Sequence, residues 1–225
     1  MTATPDARPA PRRRGRPRKD DPRPRVDAAL LDALARLLAQ GQSFGTLSVE
    51  ALCQEAGIAR ATFYLHYRDK GALVAHWLNQ VSDEVVASGG DWFAGQGRPD
   101  AEQVRTALHG IVMAFQRHCT VFSAVADTAP FDREVAALHQ SMMARLCGAS
   151  RRAIRRAQAA GVAHPQADDA MADLLTWLVE LYCSRFLSGL DEAGLHAMAD
   201  RLAHVCAQTI FRPDQGAMSK RSRKP

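Results

Sequence analysis

Residues 47–70, LSVEALCQEAGIARATFYLHYRDK, read as two short helices joined by a tight turn. Ser48 stands where a hydroxyl can accept an orphan backbone N–H at a helix start, and the apolar spacing Val49, Leu52, Cys53, Ala56 follows it. Gly57 falls where the chain must turn sharply, since glycine reaches positive φ without steric cost, and Ile58 is placed to plug the gap between the helices. The second helix begins near Ala59. Its inward positions are Phe63 and Tyr67, one turn apart, which leaves Arg60, Ala61, Thr62, Tyr64 and His66 for solvent or a partner. Such a set suits a helix laid in a DNA major groove. Arginine pairs bidentately with guanine, a threonine methyl touches thymine, and tyrosine or histidine reaches phosphates. Taken alone, the stretch is also compatible with an αα-hairpin inside an ordinary helical domain.

Working outward, residues 26–40 carry apolar side chains at 26, 30, 34, 37 and 38, a helical stripe that Gly41 ends. Asp69 caps a further helix to about Ala87, with Leu73, Val74, Trp77, Leu78, Val81 and Val85 on its buried side. Residues 88–99 form a glycine-rich break and place a domain boundary within or just before it. Beyond it the pattern predicts helices at about 100–117, 119–127, 131–160, 166–187 and 191–211, with no period-two stretch. The expected fold is therefore all-α, about nine helices, with a helix-turn-helix head at 26–88 and a helical domain at 100–212. Arg151, Arg152, Arg155 and Arg156 form a cationic patch whose ordinary role is to pair with acidic residues.

The net charge of +5 is unevenly laid out. Residues 1–25 hold nine Arg or Lys against three Asp, residues 220–225 hold four cations, and the body between them is net acidic. Basic ends on an acidic body point to local contact with nucleic acid. The 1–25 arm is rich in proline and arginine and is expected to be disordered when free, and residues 213–225 read as a basic tail. Within the arm, Gly15-Arg16-Pro17-Arg18 resembles an AT-hook core, in which Arg16 and Arg18 would lie in an A·T-rich minor groove. The alternative is an arm that touches phosphates without sequence preference.

With 47% hydrophobic residues the chain can bury a proper core. No apolar run reaches the eighteen or so residues of a membrane span, and no apolar stretch follows the basic N-terminus, so neither membrane insertion nor secretion is expected. Five scattered cysteines suit free thiols in a reducing cytoplasm. No GxSxG, HExxH, P-loop, CxxC or dinucleotide fingerprint occurs, and the eight histidines are spread singly. The expectation is no enzyme, no metal site and no cofactor.

The combined spacing of Phe44, Ser48, Val49, Ala56-Gly57-Ile58, Thr62-Phe63-Tyr64, His66-Tyr67 and Asp69-Lys70 resembles the DNA-binding domain of the TetR family of bacterial repressors, over roughly the first third of the chain. Two positions depart from that pattern: Ala59 replaces a capping serine and Gly71 a common glutamate. The resemblance implies DNA contacts from Ser48, Arg60, Ala61, Thr62, Tyr64, His66, Tyr67 and Lys70. It also implies a homodimer through the last two long helices, matching a palindromic double-stranded operator. Leu174, Leu175, Leu178, Leu181, Tyr182 and Phe186 on one of them, and Leu195, Met198, Leu202, Val205 and Ile210 on the next, supply apolar surface for it. The C-terminal half is loosely similar to the ethionamide-resistance regulator group, which holds an apolar effector inside each subunit. By position the lining here would include Ile111, Phe115, His139, Met142, Met143, Leu146, Thr176 and Val179. The function so implied is a transcriptional repressor released from DNA by a small, mostly apolar effector. Two alternatives stand beside it: a ligand-independent or architectural DNA-binding protein, and a small-molecule-binding protein with a degenerate head.

Overall fold

The computed structural model describes residues 23–212, so the expectations for Arg16, Arg18 and the 213–225 tail lie outside the described residues. Among those described, ten helices follow one another: α1 (Arg23–Ala39), α2 (Val49–Glu55), α3 (Arg60–His66), α4 (Lys70–Ala87), α5 (Gly90–Ala94), α6 (Ala101–Arg117), α7 (Cys119–Thr128), α8 (Arg133–Ala159), α9 (Asp169–Phe186) and α10 (Glu192–Ile210). Side-chain caps explain most of the starts. Asp69, Asp100, Asp132, Asp168 and Asp191 each accept a first-turn backbone N–H of the helix that follows, as Ser48 does for α2. Ala59 offers no such bond, so α3 is held by what its side chains bury.

Helices α1–α3 pack around Phe44, Leu52 and Phe63, all fully buried, and the six apolar positions read for α4 are buried as well. Gly57 has φ +67°, the left-handed turn expected between α2 and α3. Helix α4 then runs into the body and packs on α7 and α8, while α9 packs on α8 and α10 on α6. Gly71 explains one close approach. A β-carbon there would overlap the carboxylate of Asp132, which caps α8, so the starts of α4 and α8 meet at a residue with no side chain.

Three expectations are corrected. Helix α1 starts at Arg23, inside the segment read as a disordered arm, because Pro24 lies in the first turn, where backbone N–H groups have no intrahelical partner anyway. The glycine-rich break contains the short helix α5. Trp92 on it is buried against Phe211, and its carbonyl accepts from Arg156 at 2.6 Å. Finally, Leu195, Met198, Leu202 and Ile210 of α10 are buried within the chain, leaving Val205 as that helix's large exposed apolar residue. The arginine patch behaves as expected in part, with Arg151 paired to Asp173 and Arg155 to Asp169 across α8 and α9. No helix among the described residues is long and apolar enough to cross a membrane.

Candidate nucleic-acid interface and ligand cavity

Helix α3 is seven residues long, too short to be stable on its own, and its orientation comes from two inward side chains. Phe63 is fully buried and Tyr67 is 2% exposed. With these fixed, Arg60, Ala61 and Tyr64 project outward, Thr62 is half-buried, and Ser48 at the start of α2 is exposed beside them. Ser48 Oγ accepts from Ala51 N at 3.0 Å, which leaves its hydroxyl proton free to donate to a phosphate. The Arg60 guanidinium lies 5.5 Å from the Tyr64 ring centroid, and that ring in turn stands edge-on to Phe63 at 5.3 Å. The two groups with most reach are thus braced through aromatic contact to the core. Leu65, 78% exposed on the same helix, escaped the sequence reading.

Three expected contact residues are turned inward. Tyr67 donates its hydroxyl to the buried carboxylate of Asp27 on α1, and Asp27 is also 2.8 Å from His76 Nε2 on α4. Lys70 donates to the carbonyls of Phe44 at 2.7 Å, Gly45 at 3.2 Å and Leu47 at 2.5 Å, and burial lowers its pKa. Its ammonium ties the loop before α2 to the start of α4 instead of facing a phosphate. His66 is half-buried, and its Nε2 atom is enclosed without a hydrogen-bond partner.

The Asp27–Tyr67 bond makes a pH prediction. Burial, and next the hydrogen bond to Asp27, push the Tyr67 phenol up to about 12, against the opposing pull of Arg23. A raised folded value means that the contribution is fully present below the ordinary phenol value near 10 and drains away as pH rises through 12. Since the side chain is almost wholly enclosed, about 1–3 kcal/mol is at stake. In denaturant melts, the stability gap between wild type and Tyr67→Phe should narrow by that amount between pH about 9 and 12. A constant gap would show that Tyr67 does not titrate there.

The loop before α2 adds a further tie between head and body, beside the packing of α4 on α7 and α8. Gly45 N donates to Asp127 Oδ2 of α7 at 3.0 Å, beside the Lys70 cluster. Deeper in the body, α5, α6, α8, α9 and α10 enclose an apolar cavity of about 50 Å³. Ile111, Phe115, Leu146, Thr176 and Val179 line it as expected, together with Trp92, Leu108, Ile154 and Cys206. Met142 and Met143 do not line it. They are about 1% exposed and fill the core, as unbranched side chains do in irregular gaps. His139 faces a separate outer groove of about 490 Å³ beside α7 and α9. Cys206 lines the cavity as an inert thiol, pushed up to about 12 by burial.

Among the described residues, most of the large exposed apolar side chains lie on α9. Leu174, Trp177, Leu178, Leu181, Tyr182 and Phe186 recur at helical spacing, with Leu174 61% and Leu181 59% exposed.

Comparison with known proteins places this geometry. Residues 30–76 match the family model of the bacterial regulatory proteins, tetR family. No curated protein matches the chain. Among solved structures, the TetR family regulator PfmR of Thermus thermophilus is 16% identical, with a TM-score of 0.66 over 83% of this chain and 97% of its own. GusR of Salmonella enterica is 15% identical, TM-score 0.60, over 85% and 98%. NalD of Pseudomonas aeruginosa, the secondary repressor of the MexAB-OprM multidrug efflux pump, is 16% identical, TM-score 0.60, over 85% and 100%. At these identities the likeness establishes the fold.

Proposed function

We propose that this chain, a TetR family transcriptional regulator with a helix-turn-helix DNA-binding head, is a repressor. As a homodimer it holds a palindromic operator and leaves it when a small, mostly apolar effector occupies the body. The observation that carries the DNA-binding part is α3: two side chains lock it into the head while Arg60, Ala61 and Tyr64 face out together, with Thr62 half-buried beside them. On DNA, Arg60 and Tyr64 read bases and phosphates, Ser48 and Thr62 add short polar contacts, and the basic arm with Arg16 and Arg18 adds salt-dependent affinity.

The exposed stripe on α9, with Val205 of α10, is the face on which a second copy packs, so that two-fold symmetry matches the operator. The effector site is the body cavity. Its influence on the head runs through α4 and through the Asp127–Gly45 bond, and the effector must prefer the conformer whose two α3 helices no longer fit successive major grooves. One observation favours a second reading, ligand-independent DNA binding: the cavity's 50 Å³ is small beside the roughly 300–1,000 Å³ of ligand sites.

The test is competition at fixed salt between DNA from beside the protein's own gene and random DNA. A preference of about a thousandfold or more is expected. Equal binding of the two would mean that charge alone drives association and would replace the repressor reading with an architectural one.

A further inference from the structure

Glu180 is the charged residue that lines the body cavity, and it is also the residue that the cavity shares with the outer groove beside α7 and α9. It is 9% exposed. Its Oε1 accepts from Ser184 Oγ at 2.8 Å and lies 3.3 Å from His139 Nε2. Burial alone would raise its carboxyl, but the contacts with His139 and Ser184 outweigh burial and hold it below the ordinary carboxylate range. A carboxylate held in its ionised form therefore stands at the junction of a mainly apolar cavity and a groove of mixed lining, in which Ser123, Asp127, Ser184 and Arg185 sit among apolar side chains.

We propose that cavity and groove are two ends of one ligand site joined at Glu180, and that its ligand is a small amine with apolar substituents whose ammonium pairs with the Glu180 carboxylate in place of His139. This rests on the effector reading above and names the effector's class. The groove, about 490 Å³, is by itself of the size of ordinary ligand sites, and the apolar cavity of about 50 Å³ on the other side of Glu180 gives it an apolar end. The charge argument selects the amine. A neutral apolar ligand seated at the junction would strip the remaining water from a carboxylate and return no partner, whereas an ammonium supplies a charge-assisted hydrogen bond. The groove rim also carries Asp127 and Arg185, of opposite sign, which leaves Glu180 to set the local preference.

The exchange at Glu180 also has an output. The His139 ring stands edge-on to Trp177 with centroids 6.2 Å apart, and Trp177 belongs to the exposed face of α9. A ligand that displaces His139 therefore perturbs, through one side chain, the face on which the second copy is proposed to pack. The groove includes Asp127 as well, whose carboxylate holds Gly45 of the head.

The test compares octylamine with the near-isosteric 1-octanol by calorimetry on the full-length protein and on its Glu180→Gln variant. Wild type should bind the amine at least about tenfold more tightly than the alcohol, and Glu180→Gln should remove that preference. The wild-type comparison needs no substitution, so it stands even if the variant is unstable. Equal binding of the two by wild type overturns the amine class and leaves a neutral effector site in place. Binding of neither overturns the proposal together with the effector reading.

Discussion

The double substitution Arg60→Ala and Tyr64→Ala is expected to lower affinity for the operator by at least about a hundredfold while leaving the protein folded. A well-placed base contact is worth roughly 1–3 kcal/mol of discrimination, and in a two-fold dimer every lost contact is lost twice. Both side chains project from α3, with Tyr64 46% exposed, so the change removes little core. Their structural link is the 5.5 Å stacking of guanidinium on phenol and the edge contact to Phe63, which keeps the stability loss to the scale of a surface substitution. Binding to random DNA should persist, because the basic ends remain. The readout is a pair of titrations, operator and random DNA, with thermal melts alongside. Retention of operator preference by the double variant would mean that α3 is not the reading helix.

The second large effect concerns α9. Leu178→Asp together with Leu181→Asp should convert a dimer into monomers at micromolar concentration. In the single chain these positions are 41% and 59% exposed, so each carboxylate can stay hydrated and helix content should not fall. In the proposed interface the two positions and their symmetry mates would put four carboxylates into a desolvated apolar patch, each at a penalty of several kcal/mol. Operator affinity should drop by about a hundredfold or more, since each head would then bind its half-site alone. Sedimentation equilibrium with circular dichroism distinguishes the outcomes. A variant that sediments as wild type would show that the α9 stripe is not where two copies meet.

How much of this was legible beforehand follows from the range of the interactions involved. The all-helical fold, the helix-turn-helix and nearly every boundary depend on local chemistry: an aspartate or serine accepting a first-turn N–H, a glycine at positive φ, apolar side chains three and four apart. Leu65 was legible too, since two positions along a helix from Phe63 places it on the opposite side. The head's family also rested on local spacing, and residues 30–76 bear it out.

Tertiary structure decided the rest. Lys70 is turned from a phosphate to the carbonyls of a loop more than twenty residues earlier, and Tyr67 is fixed by a carboxylate forty residues away. No periodicity carries such pairings. Helix α10 shows an apolar stripe as strong as that of α9, and only the packing of α6 against it shows which of the two is left uncovered. Met142 and Met143 could have lined a cavity or filled a core, and the choice lay with the space their neighbours left. By itself, then, the sequence determined which segments become helices and which face of each is apolar. Which apolar faces meet one another, and which polar groups are spent inside the protein before any partner arrives, was settled by long-range packing alone.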